Sequence, residues 1–323
     1  MSALVRLGID ELGPITAMPA SPAQSQTRDA FGFKWNNREA FDSQQMQQLT
    51  REWLLRKYCD SDPGRLAEWL EGGRKLILDA GCGAGVSALC LFGETLNEHD
   101  YLGVDISDSV AVAQARFHER GIAADFLQTD IMQLPIPDGS LDVIFSEGVL
   151  HHTDDTSAAI VALARKLRKG GLFLFYVYAK KGPVREFTDD FVREHLGPLS
   201  DEAAWAAIEP ITELGIALGE LGATVNVPRP IPLLGIEAGL VDVQRLFYYA
   251  FMKAYYRPEL TVAEMNHINF DWYRPLNCQR HTADEVMSYC TRAGLRVLRM
   301  HSEPSGHSIV AKAIAGPGDS DPE

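Results

Sequence analysis

Glycines at positions 81, 83 and 85 alternate with Cys82 and Ala84, and the carboxylate of Asp79 stands two residues ahead of them. Backbone stripped of side chains lets a ligand come close to main-chain N–H groups and to the head of a following helix. Asp105 follows 20 residues beyond Gly85, Asp130 lies in "LQTDI", and Glu147 precedes the pair His151–His152. Asp105 is spaced to accept ribose hydroxyls, and Asp130 to take an exocyclic amine with Ile131 against the ring. A carboxylate at Asp79 would repel a pyrophosphate but suits an ammonium group. The set fits an adenosine ligand with a cationic, amine-bearing tail and no phosphates. Glu147, His151 and His152 are the side chains able to take a proton from a second reactant. The alternative for the histidines is hydrogen bonding that only holds their loop.

Such residues have to be carried on strand ends. "KLILDA", "DYLGVDIS", "ADFLQTDI", "LDVIFSE" and "GLFLFYVYA" read as five strands alternating with helices. One of those helices, "TSAAIVALARKLRKGG", carries Ile160, Leu163, Ala164 and Leu167 at helical spacing. Strands alternating with helices predict a parallel α/β sheet covered on both faces. The alternation stops near Lys181, and residues 182–275 read as a mostly helical, aromatic-rich cap insertion. It resumes with "HTADEVMSYCTRAGLRVLRMHSE", where Thr282 and Glu285 form a capping box, and with "SIVAKAI". The expected organisation is an irregular N-terminal arm followed by helices (1–73), a core (74–181), the cap (182–275), the rest of the core sheet (276–315) and a disordered tail (316–323).

The stretches "LDAGCGAG" (78–85), "GVDIS" (103–107), "QTDIMQLPIPDGSLDVIFSEGVLHHTDD" (128–155) and "LRKGGLFLFY" (167–176) together resemble a class I S-adenosylmethionine-dependent methyltransferase. "SEGVLHH" (146–152) is similar to the small-molecule branch of that family. The resemblance implies a Rossmann-like seven-stranded sheet in the order 3-2-1-4-5-7-6 with its last strand antiparallel. It also implies S-adenosyl-L-methionine as cofactor. Gly81, Cys82 and Gly83 would cradle it and Asp79 would lie near its methionine amine. Asp105 with Ile106 would hold the ribose, and Asp130 with Ile131 the adenine. Trp35 of "FGFKW" would cover the adenosine, or else staple its own helix to the next. Lys169 departs from the family, where proline is usual before the two glycines.

The activity so implied is transfer of a methyl group to an O, N, S or C atom of a small-molecule acceptor by in-line displacement. Such a step needs alignment and exclusion of water, plus a base where the acceptor must lose a proton; His151, His152 and Glu147 are the candidates. Nine of the 29 aromatics fall within residues 245–275, which marks a cap core or a pocket wall. From this region Tyr255, Asp271, Trp272 and Tyr273 are the candidate acceptor-binding residues. The alternative for "NHINFDWYRPLNCQRH" is a salt-bridged hinge. Two rival functions stand beside this one. A nicotinamide-dependent oxidoreductase shares the glycine turn but calls for G-x-G-x-x-G. A non-catalytic S-adenosylmethionine-binding protein would share every cofactor residue.

Composition narrows the partners. The 323 residues carry a formal net charge of −14, which argues against nucleic acid. The basic stretches "RKLRKGG" and "AKKGPVRE" read as solvated helix ends. No run approaches the roughly 20 apolar residues of a membrane span, and the N-terminus lacks a secretory pattern. Five cysteines without a C-x-x-C pair read as reduced thiols of a cytoplasmic protein. No metal is expected, because the only tight histidine pair, 151–152, is poorly spaced for one ion. A homodimer is the assembly considered.

Overall fold

The run Leu76–Ala80 is apolar except for Asp79, and all five residues are buried, forming the central strand β1. Its side chains split with period two. Leu76, Leu78 and Ala80 enter one core, and Ile77 enters the other. Parallel to it run β2 (Asp100–Asp105), β3 (Asp125–Gln128), β4 (Leu141–Glu147) and β5 (Leu167–Tyr178). β6 (Thr224–Val227) and β7 (Gly239–Asp242) form a separate antiparallel pair. β9 (Gly306–Ala313) inserts antiparallel between β5 and β8 (Leu295–Ser302). The sheet order is β3-β2-β1-β4-β5-β9-β8, so the seven-stranded Rossmann-like sheet expected from the sequence is present. The computed structural model describes residues 2–9 and 20–314.

Helices α1 (Ala3–Arg6), α7 (Thr156–Ala164) and α12 (Ala283–Arg292) supply one covering layer. Helices α3 (Gln44–Cys59), α4 (Pro63–Leu70), α5 (Val86–Leu91) and α6 (Val110–Glu119) supply the other. The capping box of Thr282 and Glu285 starts α12. Over the end of β5, Tyr176 and Tyr178 form a third core. It includes Ala30 of α2 (Pro22–Asn36), Leu196 of α8 (Pro183–Leu196), Ile208 of α9 (Asp201–Glu220) and Phe270 of α11 (Val262–Tyr273). Helix α10 (Val243–Ala250) follows β7.

Four local expectations change. Residues 22–30 were expected to be irregular but begin α2: the Ser21 hydroxyl accepts from the Gln24 N–H, and Pro22 sits at the first helical position, where its missing N–H costs nothing. Helix α7 stops at Ala164, and Leu167 is instead the first residue of β5, paired with Leu141. Its apolar spacing continued past the helix because both elements bury the same face. Within the cap, "VDVQRLFYYAFMKAYY" (241–256) reads as helical, but α10 ends at Ala250 and leaves residues 251–257 outside helix, and the β6–β7 hairpin departs from a helical cap. The expected disordered tail at 316–323 lies outside the described residues.

Candidate active site

The strand order reverses between β1 and β4, where an open α/β sheet offers a crevice. A cavity of about 720 Å³ opens there and runs beneath α2 and α11. At its sheet end the glycine turn has positive φ at Gly81 (83°) and Gly83 (51°). A Cβ on Gly81 would overlap the Val149 side chain, and one on Gly83 would lie 2.6 Å from Trp35 Nε1. Glycine is therefore required both by backbone conformation and by close neighbours.

Asp105, at the end of β2, faces the cavity while remaining tied to the turn. Its Oδ2 accepts from the Gly83 N–H (2.9 Å), and its Oδ1 accepts from the Ser107 N–H (2.8 Å) and hydroxyl (2.7 Å). A carboxylate has about four acceptor positions, so one remains on Oδ2. Burial pushes its pKa up. Asp130 accepts from the Met132 N–H at 2.9 Å through Oδ1, leaving Oδ2 without a hydrogen bond, and its pKa too is raised by burial. Gly81, Ile106, Ile131 and Trp35 also line the cavity. Asp79, Cys82 and Gly83 do not. Asp79 is 2% exposed, accepts from the Tyr101 hydroxyl at 2.6 Å, and is pushed up to about 7 by burial. Its other carboxylate oxygen accepts no hydrogen bond among the described residues, and a place beside a cofactor amine stays a proposal for Asp79.

The three candidate bases separate sharply. Glu147 lines the cavity, yet it is ion-paired to Lys57 and accepts from the Tyr58 hydroxyl at 2.6 Å. Lys57 is fully buried against the rings of Trp53 (3.3 Å) and Tyr176 (3.8 Å), and burial lowers it to about 8. Glu147 is therefore the counter-ion of a buried lysine, not a free base. His151 is off the wall, 3.7 Å from the Tyr178 ring, with neither ring nitrogen hydrogen-bonded. His152 lines the cavity at the end of the short 3-10 turn Leu150–His152, beside Phe31. Its Nδ1 lies 2.6 Å from the Asn277 carbonyl oxygen. A carbonyl only accepts, so Nδ1 carries the proton and Nε2 carries a lone pair. That Nε2 is buried and has no partner among the described residues. Burial lowers the His152 pKa to about 4.

Among the acceptor candidates, Tyr255, Asp271 and Trp272 line the cavity. Tyr273 does not: its hydroxyl lies 3.0 Å from Asp189 Oδ1 and 3.0 Å from the Lys253 carbonyl, inside the cap. Asp271 pairs with Lys34 and accepts from the Tyr178 hydroxyl at 2.6 Å, and against the effect of burial the charges of Lys34 and Lys253 hold its carboxyl far below the usual range. It ties α2 to α11, so both the hinge and the wall readings describe it.

Several wall residues escaped the sequence reading, including Lys34, Trp53 and Tyr178. The largest correction concerns "AKKGPVRE". Lys181 and Arg185 of this stretch line the cavity, and Arg185 is 1% exposed instead of solvated. Their spacing of four residues was the available signal. Acids Asp105, Asp130 and Glu147 thus stand at the sheet end, while Lys181, Arg185, Arg245, Lys253 and Arg257 stand at the cap end.

Residues 78–175 match the family model described as a methyltransferase domain. The chain is 44% identical over 117 residues to an uncharacterized protein of Synechococcus sp., covering 34% of this chain and 27% of that one. It is 38% identical to an uncharacterized methyltransferase of Bacillus subtilis, over 39% of this chain and 48% of the relative. It is 37% identical to the 27-O-demethylrifamycin SV methyltransferase of Amycolatopsis mediterranei, over 29% of this chain and 35% of the relative. The matched stretches span under half the length of each of these relatives.

Proposed function

We propose, for a chain whose core is a class I S-adenosylmethionine-dependent methyltransferase domain, that the cavity methylates a small acceptor with His152 as general base. The observation that carries this reading is the unpartnered Nε2 of His152, held as an acceptor by the proton on Nδ1. When bound, S-adenosylmethionine supplies an electrophilic methyl group on a sulfonium centre. The residues at the sheet end fit that cofactor. Asp105 keeps one acceptor position for a ribose hydroxyl, and Asp130 Oδ2 has no hydrogen bond and is free for an amine. Ile106, Ile131 and Trp35 are the apolar surfaces for the adenosine.

His152 Nε2 receives the proton of an acceptor hydroxyl or amine as the oxygen or nitrogen attacks, and the Asn277 carbonyl stabilises the resulting imidazolium through Nδ1–H. Phe31, Tyr178 and Trp272 restrict water around the reacting atoms. A cavity of about 720 Å³ suits a metabolite-sized acceptor. The relative that methylates a rifamycin oxygen supports an oxygen acceptor. No described helix is long and apolar enough to cross a membrane, and all five cysteines are free, which supports the cytoplasm as its compartment.

The test is incubation of the full chain with methyl-labelled S-adenosylmethionine and a small-metabolite extract, alongside His152→Gln. Label in an extract component, lost in the variant, supports the reading. Binding of S-adenosylhomocysteine with no transfer in any fraction would instead mark a non-catalytic binder.

A further inference from the structure

Three cations converge on one indole at the cap end of the cavity. Lys181 Nζ and Lys253 Nζ each lie 5.2 Å from the Trp272 ring, and the Arg185 guanidinium lies 5.3 Å from it. Their hydrogen-bond partners are mostly backbone carbonyls. Lys181 donates to the Ser305 carbonyl at 2.9 Å and to that of Pro304, and Lys253 donates to the Ile268 carbonyl at 2.7 Å. Arg185 donates to the Tyr248 carbonyl and has one carboxylate, Asp189, at 2.6 Å. Arg245 and Arg257 line the same end, and among the described residues neither has an ion pair.

The carboxylates around this group are engaged elsewhere: Glu303, on the same wall, pairs with Arg56, and Glu186, which attracts Lys181, pairs with Arg280. Asp189 is fully buried, off the wall and engaged by Arg185 and Tyr273. Asp271 faces Lys253 but is bound to Lys34 and the Tyr178 hydroxyl. The Trp272 indole N–H is buried and has no partner among the described residues. Burial lowers Lys181 to about 7 and Lys253 to about 8 against the pull of Asp189 on both, of Glu186 on Lys181 and of Asp271 on Lys253, so withdrawal from water outweighs the carboxylates present. A donor set of this kind, largely withdrawn from water and rich in cations, suits an anion.

We propose that the cap end binds an anionic oxygen group of the acceptor, a carboxylate, while the atom to be methylated points at His152. This rests on the methyltransferase reading of the same cavity. The Tyr178 ring lies 5.5 Å from the His152 ring and 4.5 Å from the Trp272 ring, so one aromatic ring separates base from anion site. The acceptor is accordingly an acid whose nucleophilic atom and carboxylate sit at opposite ends of a spacer about one ring long. The net charge of −14 does not extend to this end of the cavity wall, where cations gather.

The experiment is calorimetric titration of the full chain, with and without S-adenosylhomocysteine, using 4-hydroxyphenylacetate, its primary amide and phenyl phosphate. The expected result is at least ten-fold tighter binding of the carboxylate than of the amide, a preference abolished by Lys253→Met. Should that variant fail to fold, the half-buried Lys181→Gln is expected to reduce the preference several-fold. Tighter binding of phenyl phosphate keeps the anion site and reassigns its occupant to a phosphate. Equal binding of carboxylate and amide, or binding of none of the three by a chain that binds S-adenosylhomocysteine, overturns the proposal. Anion binding without any S-adenosylhomocysteine binding leaves the anion site in place and overturns the methyltransferase reading instead.

Discussion

His152 Nδ1 and the backbone carbonyl of Asn277 lie 2.6 Å apart across 125 residues of sequence. That contact decides the tautomer of the ring that faces the cavity, and with it the direction in which a proton can move. It joins the turn after β4 to the segment that returns from the cap, so the base is set only when cap and sheet are assembled.

Loss of this base should slow chemistry without weakening cofactor binding. His152→Gln is expected to lower kcat by roughly 10²- to 10⁴-fold while S-adenosylhomocysteine binds as before. Because Nε2 must be unprotonated and burial lowers the pKa to about 4, kcat/KM should stay flat from pH 7 to 5. An acid limb near 6.5 would refute the buried neutral imidazole. The same shift bears on stability. The folded pKa lies below the unfolded value of 6.5, so the unfolded chain binds more protons and stability falls as pH drops from 6.5 towards 4.

Asp79 behaves in the opposite sense. Its folded pKa of about 7 lies above the unfolded 3.8, so its contribution is fully present below 3.8 and is lost as pH rises to about 7. Asp79→Asn removes the buried charge and retains an acceptor for Tyr101. The variant should gain stability relative to the parent as pH rises from 4 to 7, by on the order of a few kcal/mol. Thermal melts at pH 5 and pH 8 measure this. A stability difference independent of pH would show that Asp79 is ionised throughout.

At the mouth of the cavity, Asp105→Ala removes the acceptor of the Gly83 N–H and of both Ser107 donors. Hydrogen bonds to a charged group are worth about 1.5–3 kcal/mol, so S-adenosylhomocysteine should bind roughly ten- to a hundred-fold more weakly by calorimetry. Unchanged affinity would remove Asp105 from the cofactor site.

The Lys34–Asp271 pair joins α2 to α11 with the lysine almost fully buried. Asp271→Leu alone strands that ammonium and should cost about 3 kcal/mol in denaturant titration. Lys34→Met combined with Asp271→Leu should recover most of the loss. Additive losses in the double variant would mean that the two side chains do not act as a pair.

The sheet end of the cavity was legible in the sequence because it depends on short spacings. A strand ending in a glycine turn, and acids at the ends of the next two strands, occupy neighbouring positions once the strands lie parallel. Periodicity of two and of 3.6 locates those strand ends, and the expected sheet order followed from the recognised motifs. Trp35 could be named for the same end, although the helix carrying it was not read back to Pro22.

What tertiary structure decided was the state of each group. Glu147 and His152 are five residues apart, yet Lys57 occupies one and the Asn277 carbonyl orients the other. Both partners come from distant parts of the chain, and no local pattern names them. Asp79 stands at the spacing of the glycine turn, and burial beside Tyr101 raises its pKa, which no local pattern announces. Lys181 and Arg185 read as solvated because charge and helix-end position normally mean water. The packing of Trp272 and the cap encloses them instead. Local sequence sets where a side chain stands along its element; its charge and its hydrogen-bond partners depend on what folds against it.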